Sequence, residues 1–385
     1  MSAAVINLTN VEDQRDVVHL AVESLAAGKL VAFPTETVYG VAASALSEEG
    51  VQALLEAKGR ALNQPLTLAI KSAEEALDYV PGISPLGQRL ARRCWPGPIT
   101  LVLDDECPDS ATKQLPPGVR HAITGQGTVG LRVPAHSVVL SVLRLCVGPL
   151  ALTSANRSGQ ADSLTGQQVV DSLGDEVALI LDDGQCKFAQ PSSVVRVQEN
   201  RWKLLRAGVL NASTLKRLAS FMVLFVCTGN TCRSPMAAAL MQRQLAGQLG
   251  ISVEQLEEKG VLVMSAGIAA MSGGCASQEA VAVMKERGLD VSGHESQPLS
   301  DRLVQFADRI YTMTRAHREA ILAQWPDAGP RTFLLGGDQG DVSDPMGGPP
   351  DVYRRCADQI DSLLKPWMDN LDLASVLATE AWEDS

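Results

Sequence analysis

Short apolar runs alternate with amphipathic stretches through the first two hundred residues. The runs are rich in Val, Leu and Ile, and they read "KLVAF", "LTLAI", "ITLVL", "VALIL" and "SVVRV". Apolar runs of this length, bounded by turn-forming residues, predict strands, whereas a stretch such as "EGVQALLEAKGR" has the spacing of a helix. The alternation of the two patterns predicts an α/β architecture for this part of the chain.

A second pattern begins at Phe221. The segment "RWKLLRAGVL" closes the first part, and "NASTLKRLAS" predicts a polar linker or a linker helix. The run "FMVLFVC" is typical of a strand buried on both faces of a parallel sheet, and the helical stretch "SPMAAALMQRQLAGQL" follows with Pro235 in its first turn, where a missing N–H costs nothing. We therefore predict domains over residues 1–210 and 221–370, a linker over 211–220 and an acidic tail over 371–385.

Bulk composition narrows the class of protein. The chain has 385 residues and is 45% apolar, which allows a substantial core, and no stretch approaches the roughly 18 apolar residues of a membrane span. The N-terminus "MSAAVINLTNVEDQ" lacks the pattern of a signal peptide, so we expect a soluble, cytoplasmic protein. The eight cysteines are scattered, which predicts free thiols, and the five histidines show no ligand-like spacing and are expected at the surface or in packing roles.

Net charge argues against one class of partner. The chain carries a formal charge of -11, which disfavours nucleic-acid binding through bulk electrostatics. The excess is uneven, because residues 1–220 contain 20 Lys and Arg against 22 Asp and Glu, while residues 221–385 contain 13 against 22. Because basic and acidic residues are nearly balanced in residues 1–220, a cluster of basic residues there would be notable.

The loop "CTGNTCRS" has the layout of an anion site. Cys227 ends the predicted strand and Arg233 begins the predicted helix, so backbone N–H groups and the helix dipole point at one spot. A thiol in that setting should have a lowered pKa, and the arginine fork can hold two phosphoryl oxygens while the thiolate attacks phosphorus. Gly229 allows a tight bend, Asn230 tolerates left-handed dihedrals, and Ser234 can donate to the thiolate. Zinc would need further ligands, and the spacing C-x-x-x-x-C differs from a C-x-x-C redox pair.

The pattern Cys-x5-Arg-Ser-Pro after a strand resembles the low-molecular-weight protein phosphatases. The strings "SAG", "ADRIYTMTRAHREAI" and "DPMGG" fall in the order of that family, so the resemblance covers nearly all of residues 222–370. It implies a flavodoxin-like, doubly wound parallel sheet and a catalytic set of Cys227, Arg233 and Asp344, with a phosphocysteine intermediate and no cofactor. Asp344, which precedes Pro345, would be the general acid, and Cys232 would protect the nucleophile through a reversible disulfide.

The substrate prediction depends on the remaining loop residues. Tyrosine-directed members of the family resemble one another in a large apolar residue where Thr231 stands, whereas "CTGNTCRS" and "DPMGG" are similar to the bacterial protein-arginine phosphatases. Phosphoarginine on a protein is therefore favoured, with phosphotyrosine as the alternative, and Thr231 would position the attacking water. The predicted phosphate-loop and specificity residues are Thr228, Gly229, Asn230, Thr231, Cys232 and Ser234.

The first part carries a second resemblance. The strings "VAFPTETVYGVA", "KGR", "QPLTL", "WPGPITLVL", "TVGLRVP", "TSANRSG", "PSSVV" and "LLRAG" follow the order of the YrdC-like domain of threonylcarbamoyl-AMP synthases. The resemblance implies a twisted mixed sheet with helices. It also implies a reaction of ATP, L-threonine and bicarbonate that gives threonylcarbamoyl-AMP and pyrophosphate, for tRNA threonylcarbamoyladenosine modification.

This family's pattern assigns two groups of site residues. The ATP-binding group is Lys58, Arg60, Thr128, Ser154, Asn156 and Arg206, and the threonine-binding group is Thr35, Arg132 and Ser192. Cations would hold the triphosphate, magnesium would accompany the phosphates, and catalysis would rest on positioning and charge stabilisation. The sequence departs from the family pattern at Ala61, Ala69 and Thr153, which bears on the shape of the loops and on threonine affinity.

Three functional hypotheses follow. The leading one is a bifunctional enzyme that has tRNA-modification proteins as candidate partners and no membrane association. In the second, the first domain is an RNA-binding module with a concave basic surface, against which its near-neutral charge speaks. In the third, one half is inactive and serves as a partner or regulatory domain.

Overall fold

The computed structural model describes residues 3–59 and 64–380, and the chain divides into two compact units. The first contains the chain up to Leu218 and the segment that begins at Thr379, and the second is Ala219–Ala378. Arg60 and Ala61, which the sequence singled out, lie outside the described residues. Within the described ranges, no helix combines the length and the apolar character needed to cross a membrane.

The first unit is built on a mixed sheet. Its strands before residue 210 are Ala4–Asn7 (β1), Val31–Phe33 (β2), Gly40–Ser44 (β3), Thr67–Ala69 (β4), Ile99–Asp104 (β5), Thr124–Gly125 (β6), Thr128–Arg132 (β7), Leu150–Ser154 (β8), Leu179–Asp182 (β9), Ser193–Gln198 (β10) and Arg201–Arg206 (β11). The order is β1-β9-β2-β3-β8-β4-β7-β5-β10-β11, with β6 paired to β7. Neighbours such as β4 and β7 are parallel, whereas β3 and β8 are antiparallel, which confirms the predicted mixed sheet.

Helices accompany this sheet, and one of them places a predicted site residue. They are Gln14–Ala26 (α1), Glu48–Lys58 (α2), Ala76–Tyr79 (α3), Pro85–Cys94 (α4), Pro117–Ile123 (α5), Ser137–Leu145 (α6), Gly166–Leu173 (α7) and Ala212–Ala219 (α8), with 3-10 turns at Leu8–Asn10 and Ala111–Gln114. The hydroxyl of Ser47 caps the start of α2 by accepting from the Gly50 N–H at 3.0 Å. The helix ends because Gly59 adopts a left-handed φ of 57°, which fixes Lys58 as its last residue.

The apolar runs identified in the sequence account for the strands at the centre of this unit. Each of the five runs overlaps an observed strand, namely β2, β4, β5, β9 and β10. The predicted helix at "EGVQALLEAKGR" is α2, and the polar segment "NASTLKRLAS" contains α8. The five strands predicted from these runs are confirmed. The runs do not predict the order of the strands in the sheet.

The second unit is built on a four-stranded parallel sheet. Its strands are Phe221–Cys227 (β12), Val261–Gly267 (β13), Arg309–Thr312 (β14) and Thr332–Leu334 (β15), in the order β13-β12-β14-β15. All three neighbouring pairs are parallel. In chain order this is 2-1-3-4, the flavodoxin-like arrangement, in which ligands bind beyond the carboxyl ends of the strands where the order reverses.

Helices cover both faces of this second sheet. They are Arg233–Leu249 (α9), Gln278–Glu286 (α10), Asp301–Phe306 (α11), Arg315–Gln324 (α12), Pro350–Asp369 (α13) and Leu373–Val376 (α14), with 3-10 turns at Val253–Gln255, Pro326–Arg331 and Gly337–Gln339. Along β12, Val223 and Phe225 join one apolar cluster, whereas Met222, Leu224 and Val226 join another. Successive side chains of a strand face opposite sides, so the continuous apolar run buries β12 against two helical layers, as predicted.

The segment after residue 370 differs from the predicted acidic tail. It contains α14, and Leu373 and Val376 of that helix pack against the main apolar cluster of the second unit. Thr379–Glu380 (β16) then pairs in parallel with β11. The apolar residues Leu373, Val376 and Leu377 explain the difference, because they give the segment a surface to bury.

Candidate active sites

The cysteine loop of the second unit surrounds the Cys227 sulfur. Cys227 is the last residue of β12 and is 3% exposed, and α9 begins six residues later at Arg233. The sulfur lies 3.0 Å from the Ser234 hydroxyl and accepts a hydrogen bond from the Asn230 N–H at 3.2 Å. The loop therefore places a backbone N–H and a hydroxyl within hydrogen-bond distance of the sulfur.

Asn230 holds the shape of the loop. Its φ is 56°, and its side-chain N–H₂ group donates to Ser234 Oγ at 2.9 Å and to Ser265 Oγ at 2.8 Å. Its carbonyl side-chain oxygen accepts from the Gln297 N–H at 2.9 Å, and its backbone oxygen lies 2.7 Å from His294 Nε2. A carbonyl oxygen only accepts, so His294 carries its proton on Nε2. Hydrogen bonds from several separate segments of the chain therefore hold Asn230 in its left-handed conformation.

Gly229 precedes the left-handed residue of the loop. The positive φ of the loop belongs to Asn230, and Gly229 has no left-handed dihedral. A Cβ built on Gly229 would meet Thr231 Oγ1 at 3.6 Å, an ordinary contact distance. The bend in the loop is thus made at Asn230, whose side chain can be anchored, and Gly229 is not required there by its dihedral angles.

Arg233 and Asp344 form an ion pair at the mouth of the loop. Arg233 Nη2 lies 2.5 Å from Asp344 Oδ2, and Nη1 donates to the Val342 carbonyl at 3.2 Å. The Arg233 side chain is 5% exposed, while that of Asp344 is 45% exposed. The Arg233 Nε atom is buried and has no hydrogen-bond partner among the described residues. One N–H of the guanidinium is therefore free for an incoming oxygen, and the carboxylate lies where it can leave toward solvent.

His317 also contacts the loop, although the sequence assigned it no chemistry. Its Nε2 lies 2.9 Å from Thr228 Oγ1, and its buried Nδ1 has no partner among the described residues. Burial, followed by the positive charge of Arg233, lowers the pKa of His317 to about 4. The imidazole is therefore neutral near pH 7, so it adds a polar contact to the loop without adding charge.

The second loop cysteine has different polar contacts from the nucleophile. Cys232 is 3% exposed, and its sulfur is 3.5 Å from both Ser277 Oγ and Tyr353 Oη. Burial and the contact with Cys232 raise the pKa of Tyr353 to about 12, so the phenol is protonated. Thr231 Oγ1 lies 3.6 Å from the Cys232 sulfur, and its backbone oxygen accepts from the Ser277 N–H at 2.9 Å. Both loop cysteines are free thiols.

The predicted site residues of the first unit meet in one cavity of about 630 Å³. Eight of the nine lie within the described residues, and all eight line the cavity: Thr35, Lys58, Thr128, Arg132, Ser154, Asn156, Ser192 and Arg206. The ninth, Arg60, lies outside the described residues. Residues from α2, β7, β8, β11 and the loop after β2 therefore converge, although they are up to about 170 positions apart in the chain.

Lys58 joins the end of α2 to the loop after β8. Its ammonium group donates to the Ser154 backbone oxygen at 2.7 Å, to Asn156 Oδ1 at 3.0 Å and to the Asn156 backbone oxygen. The Ser154 hydroxyl donates to Asn156 Oδ1 at 2.5 Å, and the Asn156 amide donates to the Gln160 carbonyl at 2.7 Å. Lys58 is 3% exposed, so its charge is held in place at the cavity wall.

Only some of the N–H groups of Arg132 have hydrogen-bond partners, and one of those partners is the buried acid Glu36. Its Nη2 donates to Glu36 Oε1 and to Thr37 Oγ1 at 2.7 and 2.8 Å, and Glu36 also accepts from the Ala135 N–H at 2.9 Å. The Arg132 Nε atom is buried without a partner among the described residues. Thr35 lies beside this pair, with its hydroxyl 2.8 Å from the Thr37 hydroxyl. The guanidinium thus offers an unused donor at the cavity.

The opposite wall of the cavity is polar. Arg206 Nη2 donates to the Ser192 backbone oxygen at 2.8 Å and to Ser192 Oγ at 3.2 Å. The Ser192 hydroxyl also lies 3.2 Å from the Thr100 hydroxyl. Thr128 uses its hydroxyl within its own hairpin, where it donates to the Gly125 carbonyl at 2.6 Å. The Thr128 hydroxyl thus bonds within its own hairpin, whereas Ser192 and Arg206 are hydrogen-bonded to each other.

Comparisons with known proteins separate along the same division. The family model described as low molecular weight phosphotyrosine protein phosphatase matches residues 222–376. A protein-arginine-phosphatase of Geobacillus stearothermophilus is 39% identical over 148 residues, which cover 37% of this chain and 91% of the relative. The family model for Sua5, YciO and YrdC proteins, described as telomere recombination, matches residues 23–208.

Two relatives and one solved structure belong to the family of the first unit. A threonylcarbamoyl-AMP synthase of Pyrococcus abyssi is 37% identical over 202 residues, which cover 52% of this chain but only 56% of the relative. A putative threonylcarbamoyl-AMP synthase of Mycobacterium tuberculosis is 35% identical over 195 residues, covering 51% of this chain and 85% of the relative. The chain belongs to both families. A structure of P. abyssi Sua5 has a TM-score of 0.51 and 24% identity, covers 69% of this chain and 92% of that chain, and agrees with the fold.

Sequence reasoning missed several contacts within the two family folds. In the Sua5-YciO-YrdC unit it passed over Glu36, although this acid stands inside the quoted string "VAFPTETVYGVA". In the low-molecular-weight phosphatase unit it missed Ser265 and the contacts of His294 and His317 with the loop. The string "SAG" contained Ser265, but no local pattern marked either histidine, because each reaches the loop only through the order of the strands.

Proposed function

We propose that the chain is a bifunctional enzyme. Its second unit would hydrolyse phosphoarginine on proteins through a phosphocysteine, and its first unit would form threonylcarbamoyl-AMP from ATP, L-threonine and bicarbonate. Two observations support these proposals: the donors around the Cys227 sulfur, and the cavity in which the buried donor groups converge. A cytoplasmic location remains a prediction.

The phosphatase proposal assigns each loop residue a step. The Cys227 thiolate attacks phosphorus, so the S–P bond forms while the P–N bond to the guanidinium breaks. The unused Nε–H of Arg233 and the loop amides bind the phosphoryl oxygens. Asp344 moves off Arg233, its carboxylate takes up a proton from solvent, and it gives that proton to the departing nitrogen. Water then attacks phosphorus, the S–P bond breaks, and Asp344 takes the proton from that water.

The test of the nucleophile uses the two loop cysteines as a matched pair. Cys227→Ser should reduce phosphate release from p-nitrophenyl phosphate by at least about 10³-fold, because a hydroxyl is a far weaker nucleophile at neutral pH. Cys232→Ser should keep most of that activity, since Cys232 contacts Ser277 and Tyr353 instead of the nucleophile. Equal rates for wild type and Cys227→Ser would refute the assignment.

Phosphoarginine is favoured over phosphotyrosine on two grounds. The relative of 39% identity is named a protein-arginine-phosphatase, and the loop carries the small, polar Thr231 where a large apolar residue would favour a phenol. Thr231→Ile should therefore lower kcat/KM for a phosphoarginine peptide and raise the ratio of phosphotyrosine to phosphoarginine turnover. Thr231→Ser, which keeps the hydroxyl, is the control. An unchanged ratio in the isoleucine variant would refute this role.

The synthase proposal relies on the polar cavity of the first unit. We propose that the unused Arg132 Nε–H binds the threonine carboxylate and that Thr35 and Ser192 complete that pocket. Lys58 and Arg206 would supply positive charge for the ATP phosphates, with Thr128, Ser154 and Asn156 as polar contacts. The carbamate made from threonine and bicarbonate would attack the α-phosphorus and release pyrophosphate. Magnesium would enter with ATP as part of the substrate.

Pyrophosphate release measures this proposal directly. Wild type should release pyrophosphate from ATP only when threonine and bicarbonate are both present. Arg132→Lys keeps the charge but loses the guanidinium fork, so it should raise the KM for threonine more than that for ATP. Lys58→Ala should abolish the threonine-dependent release, and Lys113→Ala, at a distant lysine paired with Asp105, is the control. Release that does not depend on threonine would refute the synthase assignment.

The alternative for the first unit is an RNA-binding module, and the same protein tests it. Salt-dependent RNA binding without AMP formation would favour that alternative. The buried donors of the cavity support a small-molecule substrate instead, since a phosphate backbone would be met by exposed cations. Partner proteins of tRNA modification remain candidates under the synthase proposal.

A further inference from the structure

The second unit contains a cavity that the proposed phosphatase chemistry does not use. Its volume is about 290 Å³, and α9, β13 and the stretch 290–297 line it. Ala238 of α9 forms part of an apolar wall together with Val263 and Val291. Cys227 is not among the described residues that line this cavity. We call it the α9–β13 cavity.

Two side-chain amides in the wall of the α9–β13 cavity offer hydrogen-bond acceptors. Gln242 Nε2 donates to the Val263 carbonyl at 3.4 Å, and Gln297 Nε2 donates to the Ser265 carbonyl at 3.0 Å. Each amide thus uses an N–H on β13, while its Oε1 atom has no partner among the described residues. Because an amide oxygen only accepts, both glutamines can receive an N–H from a ligand.

The charges that line the α9–β13 cavity have one sign. Asp290 and Glu295 line it, and both are exposed. One oxygen of Asp290 accepts from the Ser292 N–H at 2.8 Å, which leaves the other oxygen for a ligand. The described residues that line the cavity include no Lys or Arg. A ligand therefore meets negative charge, which attracts a cation and repels the anions that suit the cysteine loop.

His294 connects this cavity to the cysteine loop. The residue lines the cavity, and its Nε2 donates to the Asn230 carbonyl at 2.7 Å. In the neutral ring the other nitrogen, Nδ1, is an acceptor, and it has no hydrogen-bond partner among the described residues. Gln297 and Ser265, which also line the cavity, bond to the Asn230 side chain at 2.9 and 2.8 Å. Three lining residues thus hold the left-handed residue of the loop.

A guanidinium group on an aliphatic chain matches these features. Its planar fork carries five N–H donors and a permanent charge, so it can bond to several acceptors at once. It is more weakly hydrated than an ammonium group, which lowers the cost of leaving water. The aliphatic chain would lie against the apolar wall, since sites for small molecules combine apolar walls with a few polar groups.

We propose that the α9–β13 cavity is a binding site for alkylguanidinium groups and that its occupant acts on the cysteine loop through His294. The binding site goes beyond the proposed function and is independent of it, whereas the effect on turnover rests on that function. An N–H that the ligand donates to Nδ1 polarises the ring and strengthens the bond from Nε2 to Asn230. The loop is then held more firmly around the Cys227 sulfur, so kcat should rise.

Calorimetry on the full chain tests the site with a matched pair of probes. Butylguanidinium carries the charge and the donors, and N-butylurea has nearly the same shape without the charge. Inorganic phosphate is present at saturation, so that the cysteine loop is already occupied. Butylguanidinium should bind at least about tenfold more tightly than N-butylurea, because charge-assisted hydrogen bonds are roughly twice as strong as neutral ones.

Substitutions locate the binding. Asp290→Asn combined with Glu295→Gln removes both charges and should weaken the binding of butylguanidinium at least about tenfold. Gln242→Leu removes one acceptor and should weaken it about threefold or more. Glu258→Gln, at an exposed acid that does not line the cavity, should leave the affinity unchanged. Urea unfolding of each variant verifies that it is folded.

Turnover of p-nitrophenyl phosphate tests the link through His294. Butylguanidinium should raise the kcat of wild type at least about twofold with little change in KM, because it binds away from the sulfur. The same concentration should have a smaller effect on the variant that lacks both charges, and N-butylurea should have none. Without a ligand, wild type and that variant should turn over at equal rates, since neither carboxylate contacts the cysteine loop.

The outcomes separate the levels of the proposal. Equal affinities for the two probes, or an affinity that the double substitution leaves unchanged, would overturn the site. Binding that occurs only without phosphate would assign the ligand to the cysteine loop and would also overturn the site. Binding without a change in kcat overturns only the link through His294. Wild type that does not hydrolyse p-nitrophenyl phosphate overturns the proposed phosphatase function and the link, while the calorimetric result decides the site by itself.

Discussion

The neutral state of His317 has a consequence for stability in acid. His317 is 4% exposed, and burial together with Arg233 lowers its pKa from 6.5 to about 4, while Asp344 and Asp341 act in the opposite direction. The folded protein therefore resists binding a proton that the unfolded chain accepts. The difference of about 2.5 pKa units corresponds to about 3 kcal/mol. This stability is fully present above pH 6.5 and is lost as the pH falls toward 4.

His317→Gln isolates this effect. Glutamine can keep a polar contact with Thr228 but does not titrate, so between pH 7 and 4 the free energy of unfolding should fall by about 3 kcal/mol more in wild type than in the variant. Hydrogen exchange of the β12 amides measures opening of the second unit alone, and comparison at equal pH cancels intrinsic exchange rates. His121→Gln, at an exposed histidine of the first unit, should behave like wild type.

The pKa can also be measured directly. The chain has five histidines, few enough for the Cε1 proton of His317 to be assigned by its absence in the glutamine variant. That signal should not titrate above about pH 5. A midpoint near 6.5, or the same pH dependence of exchange in wild type and His317→Gln, would refute the account of a desolvated imidazole.

Three further predictions follow from the contacts. Phe225→Ala, at a fully buried ring stacked 5.6 Å from Tyr311, should destabilise the second unit by about 3–5 kcal/mol in urea unfolding, and an effect below about 1 kcal/mol would contradict the packing. Asn230→Ala should lower phosphatase kcat at least about tenfold while thermal unfolding shows a folded protein, because it removes the anchors of the left-handed residue; unchanged kcat would exclude that role. Glu36→Ala leaves Arg132 without its buried partner and should cost the first unit about 3–5 kcal/mol, with Glu36→Gln intermediate in calorimetry.

The local sequence pattern was sufficient to predict those features that depend only on residues adjacent in the chain. The apolar run at Phe221–Cys227 determines a strand because no residue in it is polar, and its alternate side chains fill two clusters. The left-handed tolerance of Asn230 was likewise readable, since asparagine is among the few residues that adopt this conformation. The bend assigned to Gly229 stays a prediction, because residue type shows what a position permits and not which of two adjacent residues makes the bend.

Contacts between distant elements could not be read from the sequence. His317 lies 89 residues from Thr228, and it reaches the loop because β14 lies beside β12 and α12 begins just after β14. Lys58 was assigned to ATP from a motif, yet its ammonium donates to backbone oxygens of the loop after β8. The tail was predicted from its acidic end, whereas the burial of Leu373 and Val376 depends on a surface formed by other helices.

The ion pair between Arg233 and Asp344 affects which anions the cysteine loop admits. An anion that binds at Arg233 gains only the difference between its own attraction and that of the carboxylate it displaces. Chloride and other monovalent ions carry no more charge than Asp344, whereas a phosphoryl group carries close to two negative charges near neutral pH. A helix N-terminus and a ring of backbone amides attract any anion. The resting carboxylate thus makes the loop selective against the monovalent anions that are abundant in every buffer and cell.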